Sequence, residues 1–119
     1  MSSKLVYIGY ADDTCRHMQN IASLAWVIYS PSGQLISSGG PCLGPATNNL
    51  VEYSAIIELL SDVIVHGISH LMVNLDSQFV VSQLNGLYIV CNSMILRKFL
   101  RVKLLERCFQ SITYHHIPR

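Results

Sequence analysis

The sequence predicts one α/β domain built on a mixed five-stranded sheet, and three observations carry that expectation. Three strand-like segments rich in Val, Ile and Tyr come first, with Ser30-Pro31-Ser32-Gly33 as a tight-turn signature between the second and third. A long segment beginning at Thr47 then repeats apolar residues every three or four positions, the period of a helix with one buried face. His70 to Leu75 is apolar nearly throughout, as a central parallel strand should be. A right-handed helical crossover after the antiparallel meander places the fourth strand parallel to the first.

Taken in order, Lys4 to Ala11 reads as the first strand and ends on the acidic pair Asp12-Asp13. Thr14 to Asn20 is a polar loop, Ala22 to Tyr29 the second strand, and Gln34 to Ser38 the third. A connection rich in glycine and proline leads to Thr47, the expected cap of a helix that runs to His66 and is closed by Gly67. After the fourth strand, Ser77 to Leu84 is a short helix stopped by Asn85-Gly86. Ser93 is the expected cap of a further helix through Phe109, and Ser111 to Ile117 is the last strand before Pro118. The expected order is therefore βββαβααβ, a single domain over residues 1–119.

Composition narrows the function classes. Half of the residues are hydrophobic and 13% are charged, so the chain either packs very fully or keeps an apolar surface for a partner. The start carries no secretory leader pattern, and residues 77–96 hold too many amides to span a membrane, which points to an intracellular, reducing compartment. Cys15, Cys42, Cys91 and Cys108 are scattered without metal-ligand spacing and read as buried reduced thiols. The histidines give no i, i+4 pair, and the adjacent His115 and His116 leave opposite faces of a strand. Arg97, Lys98, Arg101, Lys103 and Arg107 fall within eleven residues, a local basic patch fit for phosphate contact or for a solvated helix face.

Glu52 is the anomaly. It heads the stripe Ile56, Leu59, Val63, with Leu60 alongside, where an apolar residue belongs. Asp12 and Asp76 follow the first and fourth strands, so parallel pairing brings both to the carboxyl edge of the sheet, where ligands of open α/β sheets bind. The meander returns the chain to that edge before the long helix begins, so Glu52 overlooks it too. Taken singly, each acid has a plainer role: a solvated strand end for Asp12 and Asp13, a helix cap for Asp76, a first-turn acid for Glu52. Together their repulsion asks for divalent cations.

These residues resemble the ribonuclease H domain in its reverse-transcriptase-like form, common in plant genomes and retroelements. Thr47-Asn48-Asn49-x-x-Glu52-Tyr53-x-Ala55 is similar to the family's T-N-N-x-x-E-Y-x-A, and Asp76-Ser77-Gln78-x-Val80-Val81-x-Gln83-x-Asn85-Gly86 to its D-S-Q-x-V-V-x-Q-x-N-G. His116-Ile117-Pro118-Arg119 resembles its H-I-P-R, and Pro31-x-Gly33 its hairpin. The resemblance implies a ribonuclease-H-like fold in which Asp12, Glu52 and Asp76 are catalytic and bind metal, with Asp13 as an alternative to Asp12. It implies hydrolysis of the RNA strand of RNA–DNA hybrids with two Mg²⁺ or Mn²⁺ ions about 3.5–4 Å apart. Asn48, Asn49, Ser77, Gln78, Arg97, Lys98 and Arg101 are the implied nucleic-acid contacts. The family's last helix and its fourth carboxylate lie beyond H-I-P-R, where this sequence ends.

A second reading follows from that ending: a catalytically impaired module, descended from a retroelement, acting in nucleic-acid binding or protein interaction. An uncovered sheet face would then favour a homo-oligomer. Tyr10-Ala11-Asp12-Asp13 also resembles the Y-x-D-D of a polymerase palm, but 119 residues leave no room for fingers, palm and thumb.

Overall fold

The computed structural model describes residues 5–11, 26–39 and 48–117. Its elements are β1 (Tyr7–Ala11), β2 (Trp26–Tyr29), β3 (Leu35–Gly39), α1 (Asn48–Val65), β4 (His70–Leu75), α2 (Gln78–Leu84), α3 (Ser93–Glu106) and β5 (Ser111–His116). They form one five-stranded sheet in the order β3-β2-β1-β4-β5. β1 pairs antiparallel with β2 and parallel with β4, and β5 joins β4 in parallel. The mixed sheet expected from the sequence, with the fourth strand parallel to the first, is the one observed.

Both crossovers step the same way along the sheet, from β3 past β2 and β1 to β4, and from β4 to β5. Right-handed connections stepping in one direction place their helices on one face. Gly9, Ala11, Trp26, Ile28, Leu71, Val73, Leu75 and Tyr114 are accordingly buried on the face shared with α1, whose Ile56, Leu59, Leu60 and Val63 are all fully buried. A Cβ at Gly9 would come within 3.0 Å of the Leu59 side chain, so glycine is what lets α1 approach β1 this closely. On the opposite face Ile8, Tyr10, Val27, Tyr29 and Met72 are half-buried, and Tyr10 and Tyr29 meet edge to face at 5.9 Å. Among the described residues no helix covers that face, and no helix is long and apolar enough to cross a membrane.

Local chemistry fixes the boundaries. α1 ends in a paired closure: Gly67, at φ 74°, donates to Ile64 O at 3.0 Å, and Ile68 donates to Val63 O at 3.3 Å. The β2–β3 turn closes through Gly33 N to Ser30 O at 2.9 Å, with Gly33 at φ 91°. α3 differs from expectation at both ends. Its cap is Asn92 rather than Ser93, with Asn92 Oδ1 accepting from Met94 N at 2.9 Å and Ile95 N at 3.1 Å. It stops at Glu106 rather than Phe109, because Arg107, Cys108 and Phe109 bond to carbonyls three residues back, a tighter winding than an α-helix.

Other corrections are small. The third strand is shifted by one residue to Leu35–Gly39, the last ends at His116, and α1 ends at Val65 before His66. The expected starts of the first two strands, at Lys4 and Ala22, and the Thr47 cap lie outside the described residues. Cys91 and Cys108 are free thiols but exposed, not buried, because both fall in the connections flanking α3. Cys15 and Cys42 lie outside the described residues.

Candidate active site

The register of the sheet sets the stage. Ala11 pairs with Leu75, so Asp76 follows directly from the residue beside the end of β1. From the Gly9–Val73 row, three strand residues of about 3.3 Å each carry the chain about 10 Å up to Asp76. Leu59 sits over Gly9, and seven helical residues of about 1.5 Å each separate it from Glu52, again about 10 Å. α1 leads into β4 through Gly67, so its amino end lies toward the carboxyl edge. The two rises agree, which puts Glu52 and Asp76 at about the same level along the strands.

Their surroundings differ. Glu52 is 1% exposed, enclosed in the apolar stripe as the sequence period required. Asp76 is half-buried at the bend leaving β4. Ser77, not Asp76, caps α2: its hydroxyl accepts from Val80 N at 3.2 Å. Gln78 folds back along α2 and donates to Ser82 Oγ at 3.2 Å. Asp12 and Asp13 lie outside the described residues, as do the side chains of Asn48 and Asn49. Among the described residues no three of His, Cys, Asp and Glu group as a metal site; Asp12, next in sequence after Ala11, is the third acid the expectation requires.

Glu52 and Asp76 offer hard carboxylate oxygens, the donor type suited to Mg²⁺ or Mn²⁺ and unsuited to softer metals. The donor set present thus fits the implied ions.

Sequence reasoning missed the frame that holds the two acids. Tyr53, fully buried, donates its hydroxyl to Gln83 Oε1 at 2.8 Å, tying the helix that carries Glu52 to the helix that follows Asp76. Behind it, Tyr114 donates to Glu106 Oε2 at 2.6 Å, Lys103 donates to Leu84 O at 2.7 Å and to Glu106 Oε2 at 3.3 Å, and Asn85 Nδ2 donates to Tyr114 O at 3.3 Å. α3, β5 and the end of α2 are locked together by this network. Burial raises the pKa of both tyrosines above the usual phenol value, and the Glu106 carboxylate adds to the effect at Tyr114, so both stay neutral donors. Tyr53, Gln83 and Asn85 all stand in the quoted motifs, which was the available signal. Their spacing alone did not say they would bond.

The basic residues are placed elsewhere. Lys103 turns inward to cap α2, while Arg97, Lys98 and Arg101 gather around Ile57 of α1. Ile57 lies about 140° around α1 from Glu52, so these three cations are not brought together with the carboxylates.

Residues 10–119 match the family model described as Reverse transcriptase-like. The chain belongs to this family. Among characterised relatives, it is 33% identical over 111 residues to ribonuclease HI of Halobacterium salinarum, covering 93% of this chain and 56% of that protein. It is 31% identical over 85 residues to a bifunctional protein of Mycobacterium tuberculosis, covering 71% of this chain and 23% of that one. The chain thus spans about half or less of the curated relatives it matches.

Solved structures agree on the fold. The crystal structure of Halobacterium salinarum RNase H1 superposes with a TM-score of 0.77 at 28% identity, covering 98% of this chain and 87% of that one. The N-terminal RNase H domain of the Mycobacterium tuberculosis protein gives 0.77 at 25% identity, covering 98% and 88%. LC11-RNase H1, solved in complex with an RNA/DNA hybrid, shares the fold at 0.76 and 23% identity, covering 98% and 86%.

Proposed function

We propose that this chain is a metal-dependent endonuclease of the ribonuclease H type, acting on the RNA strand of RNA–DNA hybrids. The observation that carries the reading is Glu52. A carboxylate 1% exposed at the head of an apolar stripe is not what core packing alone selects, and it stands level with Asp76 at the edge where α/β sheets bind ligands. Asp12, Glu52 and Asp76 would supply three of the four carboxylates that the resemblance implies. Ions bound there would supply activation of water and neutralisation of charge on the leaving oxygen.

The chain's own residues do the positioning. The Tyr53–Gln83 bond fixes Glu52 relative to the turn bearing Asp76, so the oxygens are held before any ion arrives. Ser77 and Gln78 open α2 beside that turn, and Asn48 and Asn49 open α1; these four are the proposed contacts to the hybrid's sugar–phosphate backbone. Backbone contacts of this kind carry no sequence preference.

The test is cleavage of a labelled RNA–DNA hybrid with Mg²⁺ or Mn²⁺, comparing the chain with Asp76→Asn. Metal-dependent cutting of the RNA strand, lost in the variant, is the expected result. Negligible cutting by both, together with retained hybrid binding, would instead identify a non-catalytic nucleic-acid-binding module.

A further inference from the structure

The outer surface of α1 and α3 carries a charge pattern that the candidate active site does not use. α1 and α3 run side by side in the same direction, since both deliver the chain to strand starts at one edge, where Gln110 N bonds to Ser69 O at 2.9 Å. Ile57 lies between two open grooves. One, of about 270 Å³, is lined by Ile57, Arg97, Lys98 and Arg101. The other, of about 420 Å³, reaches from Ile57 past Glu58, Ser61 and Asp62 to Val65 and Trp26. A basic strip and an acidic strip thus flank one apolar residue, each with its charges at i, i+4 spacing.

We propose that this surface is a self-complementary interface, and that its partner is a second copy of this chain related by a two-fold axis running along the helices through Ile57. Rotation about such an axis exchanges the two strips, so the acids of each copy face the arginines of the other, twice over. The heights match. Arg97 and Lys98 lie beside Ile57, so Glu58 comes level with Arg97, and Asp62, about 6 Å further along, with Arg101, also about 6 Å further. Val65 and Leu104, 81% and 59% exposed, then come within about one turn of each other and can cover one another across the axis. Among the described residues, the opposite face of the sheet, where the sequence places self-association, shows no paired strips of this kind.

The facing groups include one more titratable neighbour: His66 Nδ1 lies 3.7 Å from Asp62 Oδ2 in the same chain. A surface of two helices is at the small end of protein interfaces, so the association is weak and sensitive to salt. The inference does not depend on the proposed nuclease activity, because the interface lies on the flank of α1 away from Glu52.

Sedimentation velocity from micromolar to millimolar chain tests it. The expected result is a mass rising from 13.3 kDa toward twice that value at low salt, and falling back at high salt. Glu58→Arg with Asp62→Arg, and separately Arg97→Glu with Arg101→Glu, each place like charges opposite one another and weaken association at least about tenfold. Mixing the two variants restores it, since every pair is then complementary; circular dichroism on each confirms that it is folded. A monomer throughout the range, or association that neither variant changes, overturns the proposal. A monomer whose Arg97→Glu/Arg101→Glu form binds RNA–DNA hybrid more weakly, with a shallower salt dependence, overturns it in favour of phosphate contact.

Discussion

The two faces of α1 carry acids of opposite kinds. On the inner face Glu52 is 1% exposed among Ile56, Leu59 and Val63. On the outer face Glu58 is exposed and Asp62 half-buried, beside open grooves. One helix thus shows that position, not residue type, decides what a carboxylate does. A buried acid bears a desolvation cost that its surroundings must offset, whereas an exposed acid bears almost none and acts only through what approaches it.

The sharpest way to break this contrast is Glu52→Gln. Activity on the hybrid is expected to fall on the order of 1,000-fold, the several kcal/mol that metal catalysis supplies, while thermal stability changes little because glutamine keeps the volume of the side chain and its capacity to hydrogen-bond. A large drop in melting temperature would make Glu52 a structural residue instead. Leu59→Ala, two turns further along the same face, is expected to cost about 3 kcal/mol by denaturant melting, through the cavity left over Gly9.

The frame behind the site gives a pH prediction. Tyr53 and Tyr114 are raised above their ordinary value of 10.0, so above about pH 10 the unfolded chain loses phenol protons that the folded chain keeps. Stability is therefore full below pH 10 and falls as pH climbs past it, by up to about 1.4 kcal/mol per pH unit for each tyrosine. Tyr114→Phe should flatten that decline in a urea titration, at the cost of about 1 kcal/mol at neutral pH for the bond to Glu106. The smallest effect is expected at Glu58→Gln, within about 0.5 kcal/mol of the parent by the same measurement.

Much of this was readable before any coordinates. The helix period put Glu52 on the buried stripe, and the run of apolar residues ending at Asp76 marked the central strand, because burial is written into periodicity. Boundaries were read less well. Ser93 and Asn92 are both good caps, and only the backbone shows which side chain reaches the free amides at Met94 and Ile95.

The sequence by itself determined the order of elements, the buried face of α1 and the family, since these rest on local pattern and on contiguous motifs. Tertiary structure alone decided which residues meet across the chain. It placed Tyr53 on Gln83, turned Lys103 inward to Leu84, and gathered Arg97, Lys98 and Arg101 around Ile57 on the flank away from Glu52. Those pairings depend on how three helices lie against one sheet, which the handedness and register of the crossovers fix and no local window of sequence contains.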